Sequence, residues 1–99
     1  MSAFDPEKLT PDAFQFLTAW FADEEADETS DGEIVRNYAS TVDAAVIKRV
    51  VEQLRSLAEH VSFSHEVLAD VTDLHFENKA DGREWLTDIA ELLEDAAGV

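Results

Sequence analysis

Apolar residues in this chain recur at steps of three and four in one segment after another, and that period limits what it can fold into more than any other feature. Thr10-Pro11-Asp12 reads as an N-cap, a proline at the first helical position and an acid favoured by the helix dipole. Phe14, Leu17 and Phe21, flanked by Ala13, Phe16 and Trp20, then predict an amphipathic helix from about Pro11 to Ala22. Ser30-Asp31-Gly32-Glu33 has the spacing of a capping box and opens a short helix through Ile34, Val35, Tyr38 and Ala39. Ser40 to Asp43 looks like another cap, ahead of what reads as the longest helix, roughly Val42 to His60. Its seam is Val42, Val46, Val50, Leu54, Leu57 and Val61, widened by Ala45, Ile47, Val51 and Ala58. The β-branched residues weaken the helix preference, but the period decides. Ser62 or Ser64 caps a fourth helix with Val67, Leu68, Val71 and Leu74. Residues 74–82 read as a turn-rich connection, and Asp81-Gly82-Arg83-Glu84 repeats the capping-box spacing. A last helix carries Trp85, Leu86, Ile89, Leu92, Leu93 and Ala96 and stops at Gly98. The expectation is an all-α chain: a compact bundle of four to five helices, with residues 1–99 as a single domain.

Charge is the unusual quantity. Seven Lys and Arg face 23 Asp and Glu, a net −16. The stretch FADEEADETSDGE, from Phe21 to Glu33, holds seven carboxylates and no base, and an acidic loop is expected over about 23–31. Nucleic acid and anionic membranes carry the same sign and are disfavoured as direct partners. Self-repulsion of this size opposes folding, so either high ambient salt offsets it or the function uses the field. The apolar fraction of 45% is ordinary for a globular chain and argues against disorder. There are no cysteines, hence no disulfides, thiolate metal sites or thiol nucleophile. MSAFDPEKLTPDAF lacks a basic leader and an apolar run, and no apolar stretch is long enough to span a bilayer. A soluble, cytoplasmic protein is expected.

Catalytic and metal chemistry finds little footing. His60 and His65 are five apart, which does not stack two imidazoles on one helical face. His65-Glu66 begins like HExxH, but position 69 is Ala69. Carboxylates are so abundant that any pair resembles an acid and a base, and the glycines stand singly at the ends of elements. No enzyme, cofactor or metal site is expected. Phe14, Leu17, Phe21, Leu54, Trp85 and Ile89 are assigned to the core, whereas Phe16 and Trp20 lie at the edge of their stripe. Trp20, beside the acidic stretch, then reads as an aromatic anchor within a charged rim. The bases are segregated: none falls between Pro11 and Val35 or between Ala58 and Asn78. Segregation points to a directed field, one that steers a basic partner, rather than to the uniform coat of a salt-adapted protein.

Phe14-Gln15-Phe16-Leu17 followed by Trp20-Phe21 and the acidic stretch, then the long apolar helix through Val50, Leu54 and Leu57, and finally Asp81-Gly82 leading into Trp85-Leu86-Thr87-Asp88-Ile89 form an ordered set. In that order the chain resembles a group of helical immunity proteins from bacterial contact-dependent growth inhibition systems, over about residues 11 to 96. The family often has a histidine after the aromatic pair, where this sequence has Ala22. The resemblance implies a cytoplasmic antidote that binds the C-terminal toxin domain of a large secreted effector and blocks its active or substrate-binding surface. The net charge fits a toxin that is a basic nuclease. Trp20, Asp23, Glu24, Glu25, Asp27, Glu28 and Asp31 are the expected contacts, on a monomer or weak homodimer. The alternative is an acidic helical adaptor or structural protein of a salt-adapted organism.

Overall fold

The structure, a computed structural model, describes residues 4–21 and 31–98, and every regular element among them is an α-helix. In chain order these are α1 (Pro6–Leu9), α2 (Pro11–Trp20), α3 (Asp31–Thr41), α4 (Ala44–Glu59), α5 (His65–Thr72) and α6 (Lys79–Ala97). Among the described residues six helices therefore stand where four or five were expected, the addition being the single turn α1. Thr10 explains it. Its hydroxyl does not cap α2 but donates backward to the Pro6 carbonyl at 3.0 Å, closing the preceding turn. A free N-terminal amide of α2 finds its partner across the bundle, where Ala13 N–H donates to Gln53 Oε1 at 2.9 Å. Gln53 Nε2 in turn donates to Asp12 Oδ2 at 3.2 Å, so one α4 side chain fixes the start of α2.

The longest helix is α6, not α4. Its N-cap is Asn78, whose Oδ1 accepts from Asp81 N–H at 2.9 Å while Asp81 Oδ2 accepts from Glu77 N–H at 3.3 Å. The reciprocal cap thus sits three residues earlier than Asp81-Gly82-Arg83-Glu84 predicts, and Asp81-Gly82 is the first turn of a helix rather than a turn before one. At the other end Gly98 adopts the left-handed conformation, φ 70°, that terminates α6. Ser64, one of the two candidates, caps α5 by accepting from Val67 N–H at 3.4 Å.

Helix α4 packs most extensively on α6, with α2 and α3 completing the bundle and α5 bridging α2 and α6. Ile47, Val50, Val51, Leu54, Leu57 and Ala58 are the buried stripe of α4. The seam expected from Val42 and Val46 is rotated toward Ile47 and Val51, and Val61 is 91% exposed because α4 has already ended at Glu59. On α2 the buried residues are Ala13, Phe16 and Leu17, which leaves Phe14 only half-buried and puts Phe16 in the core. Leu17, Phe21, Leu54 and Ile89 are core as expected, while Trp85 is half-buried.

Gly82 shows what holds α6 against the α5 side of the bundle. A Cβ placed there would lie 2.8 Å from Phe63 Cζ and 3.4 Å from Leu68 Cδ2. Phe63 is 1% exposed, edge-on to Phe4 and under the Arg83 guanidinium, so its ring has little room to retreat. In an open helix, Gly→Ala gains about 1 kcal/mol. Here overpacking of about 1–3 kcal/mol outweighs that gain. Gly82→Ala is therefore expected to lower the urea midpoint, and a rise would show that Phe63 yields freely.

Candidate partner-binding surface

Of the residues expected to meet a partner, Trp20 and Asp31 lie within the described chain. Asp23, Glu24, Glu25, Asp27 and Glu28 lie outside the described residues, as does Ser30 of the first capping box. The residues flanking the acidic stretch are both tied to one side chain. Phe21, at the end of α2, sits edge-on to the Trp85 ring at 5.1 Å. Asp31, at the start of α3, accepts a hydrogen bond from Trp85 Nε1 at 3.2 Å. Phe76 braces the same ring at 5.6 Å. Trp85 thus works as a strap on α6 where the two flanks of the acidic stretch come together. No spacing in the sequence joins Asp31 to Trp85, 54 positions apart. The one hint was an indole, which needs an acceptor for its N–H when half-buried.

Trp20 belongs to a second aromatic group. It stands edge-on to Tyr38 at 5.5 Å, and Tyr38 lies 4.3 Å from Phe16. These rings wall a cleft of about 240 Å³ between α2, α3 and the start of α4, with Asp12, Val42 and Val46 as further lining. Asp12 accepts from Gln53 and faces Arg49 Nε at 3.6 Å, both contacts falling on Oδ2. Burial, and secondarily the Asp12 charge, pushes the Tyr38 hydroxyl above its usual value of 10.0. The folded state therefore holds the phenolic proton more tightly than the unfolded chain. That contribution to stability is complete below about pH 9 and is lost as pH rises past 10. Tyr38 is the sole tyrosine, so absorbance near 295 nm reads it alone. The expected midpoint lies above 10 and moves down on Asp12→Asn, and a midpoint at the free-tyrosine value would contradict the burial.

Acids also line α6. Asp81, Glu84, Asp88, Glu91 and Asp95 are exposed and recur at steps of three and four, which places them along one face. Past Arg83 that helix carries no base, so its acids approach the negative end of the helix dipole uncompensated. Of the six exposed bases, Lys48, Arg49 and Arg55 are on α4 and Lys8, Arg36 and Lys79 on α1, α3 and α6, and Arg55 crosses to pair with Glu94.

His60 has structural surroundings. His60 Nδ1 accepts from Ser62 N–H at 3.1 Å and its ring packs on Phe4. Among the described residues no group of three or more His, Asp or Glu is placed to hold a metal ion, and no helix is long and apolar enough to cross a membrane.

Residues 10–93 match a family model described as CdiI immunity protein. The matched segment contains both the acidic stretch and its Trp85 strap. No curated protein and no solved structure matches the chain.

Proposed function

The chain belongs to the CdiI immunity protein family, which makes it a non-catalytic protein that neutralises a cognate contact-dependent growth inhibition toxin, and on that premise we propose how it does so. It acts in the cytoplasm as a stoichiometric inhibitor that covers the toxin's active or substrate-binding surface. The toxin is a basic nuclease. Asp23, Glu24, Glu25, Asp27, Glu28 and Asp31 place negative charge where the phosphates of its substrate would lie, and Trp20 anchors the edge of the contact. The observation that carries this reading is the meeting of Phe21 and Asp31 on Trp85, which anchors both flanks of the densest run of carboxylates on the folded body. Anchored flanks lower the entropic cost of presenting those charges to a partner.

The test is growth protection. The chain is co-expressed with the C-terminal toxin domain encoded immediately upstream, and surviving cells are counted with and without it. Rescue with a one-to-one complex, and loss of nuclease activity in the purified mixture, is the expected result. Killing despite good expression, or a toxin without nuclease activity, would overturn the corresponding part of the reading.

The acidic face of α6 gives a specific reason to weigh salt adaptation as well, because those carboxylates are not confined to one stretch. Between about 0.01 M and about 1 M salt the Debye length falls from about 30 Å to about 3 Å. A toxin inhibitor working at ordinary ionic strength is expected to show a helical, cooperative melt at the low end, rising by several degrees with salt. A chain unfolded at low salt and refolded near 1 M would favour the salt-adapted reading.

A further inference from the structure

We infer that the cleft between α2, α3 and the start of α4 receives one arginine side chain of the toxin. This inference rests on the reading of the chain as a toxin inhibitor and names a second point of contact, apart from the acidic stretch. At about 240 Å³ the cleft falls below the ~300–1,000 Å³ typical of small-molecule sites and suits a single long side chain.

Three features select the occupant. The walls are aromatic and aliphatic, with Trp20, Tyr38, Val42 and Val46 all in the lining. An indole attracts a cation over its face, and aliphatic walls match the methylene stem of arginine. Trp20 is held by its edge-on contact to Tyr38, which itself rests on Phe16, so the anchor is ordered before a partner arrives. Among the described residues the one charged group in the lining is Asp12, and no base lines the cleft. Gln53 and Arg49 both contact Asp12 through Oδ2, so Oδ1 retains its capacity to accept from a guanidinium. The Arg49 side chain is 62% exposed at 3.6 Å, and an ion pair of that kind holds weakly enough to be displaced. A net charge of −16 disfavours an anionic guest. Arginine is preferred over lysine because its planar guanidinium stacks on an indole while one of its N–H groups donates to Asp12 Oδ1.

Two measurements decide it. The purified chain, labelled with nitrogen-15, is titrated with N-acetyl-arginine amide and, in parallel, with the neutral isostere N-acetyl-citrulline amide. Expected are saturable shifts at the Trp20 indole and at the amides of Ala19, Thr41 and Val42, about tenfold weaker binding of citrulline, and loss of saturation in Asp12→Asn. Shifts spread evenly over the acidic faces, or equal response to both probes, would overturn the cleft as a cation site. In the second measurement the toxin domain is titrated into the unaltered chain, Asp12→Asn and Trp20→Ala. An affinity loss of about 10- to 100-fold in both variants is expected. Unchanged affinity in the near-isosteric Asp12→Asn would overturn the cleft's role in the complex. If the unaltered chain fails to bind the toxin, the immunity reading falls, and the arginine titration still decides for or against the cleft.

Discussion

Replacing Asp23, Glu24, Asp27 and Glu28 together by lysine is expected to weaken the toxin complex by about two to four orders of magnitude. Each reversal adds two charges, so four take the net from −16 to −8. Exposed pairs contribute ~0–1 kcal/mol apiece, whereas close, desolvated pairs across interfaces couple by about 1.5–7 kcal/mol. The expected loss therefore requires only one or two of the four to be close pairs. Salt separates the contributions. The unaltered complex should associate more slowly as ionic strength rises, because steering is screened. The quadruple variant should show a shallower dependence and, at high salt, differ mainly in dissociation. Melting should hold or improve, since the variant repels itself less. Calorimetry and stopped-flow association against salt would check this. A loss below tenfold would move the interface away from the acidic stretch, toward the Trp20 cleft or the face of α6.

How much of this was legible without coordinates depended on the distance over which each feature acts. The helices could be read because a period of three to four residues repeats within one segment. The end of α6 could be read because Gly98 alone tolerates the left-handed backbone there. The start of α6 was misplaced for a local reason too: Asn78-Lys79-Ala80-Asp81 and Asp81-Gly82-Arg83-Glu84 both fit a cap, and the choice between them was tertiary. Phe63 needs Gly82 inside the helix, where its ring meets no Cβ. The rotation of the α4 stripe toward Ile47 and Val51 has the same origin, since α6 decides which face of α4 is covered. The candidate site was half legible. Charge density picked out the acidic stretch and its neighbour Trp20, and family membership supports the kind of partner. Trp85 was taken for core, and its strap to Phe21 and Asp31 joins three elements that nothing in the spacing connects. Asp12 was read as a helix-dipole acid, and only the packing of α2 on α3 and α4 places it beside Tyr38 and Trp20 in one cleft.

Leu54→Ala is expected to cost about 2.7–5 kcal/mol. Leu54 is 0% exposed on α4, the helix packed most extensively on α6, so its removal leaves a cavity where the bundle is least able to collapse. Domains of this size have about 5–15 kcal/mol to lose, and each kcal/mol moves the melting midpoint by about 4–8 °C. A fall of about 11–40 °C follows, read by circular dichroism. The variant also apportions stability between core and charge. Among the described residues the ion pairs Arg49–Asp12 and Arg55–Glu94 have side chains 32–62% exposed and contribute little against the net −16. Cohesion therefore comes from the buried Ile47, Val50, Leu54, Leu57, Leu86, Ile89 and Leu93. Salt near 1 M screens the repulsion but cannot fill a cavity. It should raise the midpoints of the unaltered chain and of Leu54→Ala by similar amounts, leaving the gap between them almost unchanged. A gap that closes in salt would mean that repulsion, not packing, sets the cost of the substitution, and the acidic surface would then govern the fold as well as the choice of partner.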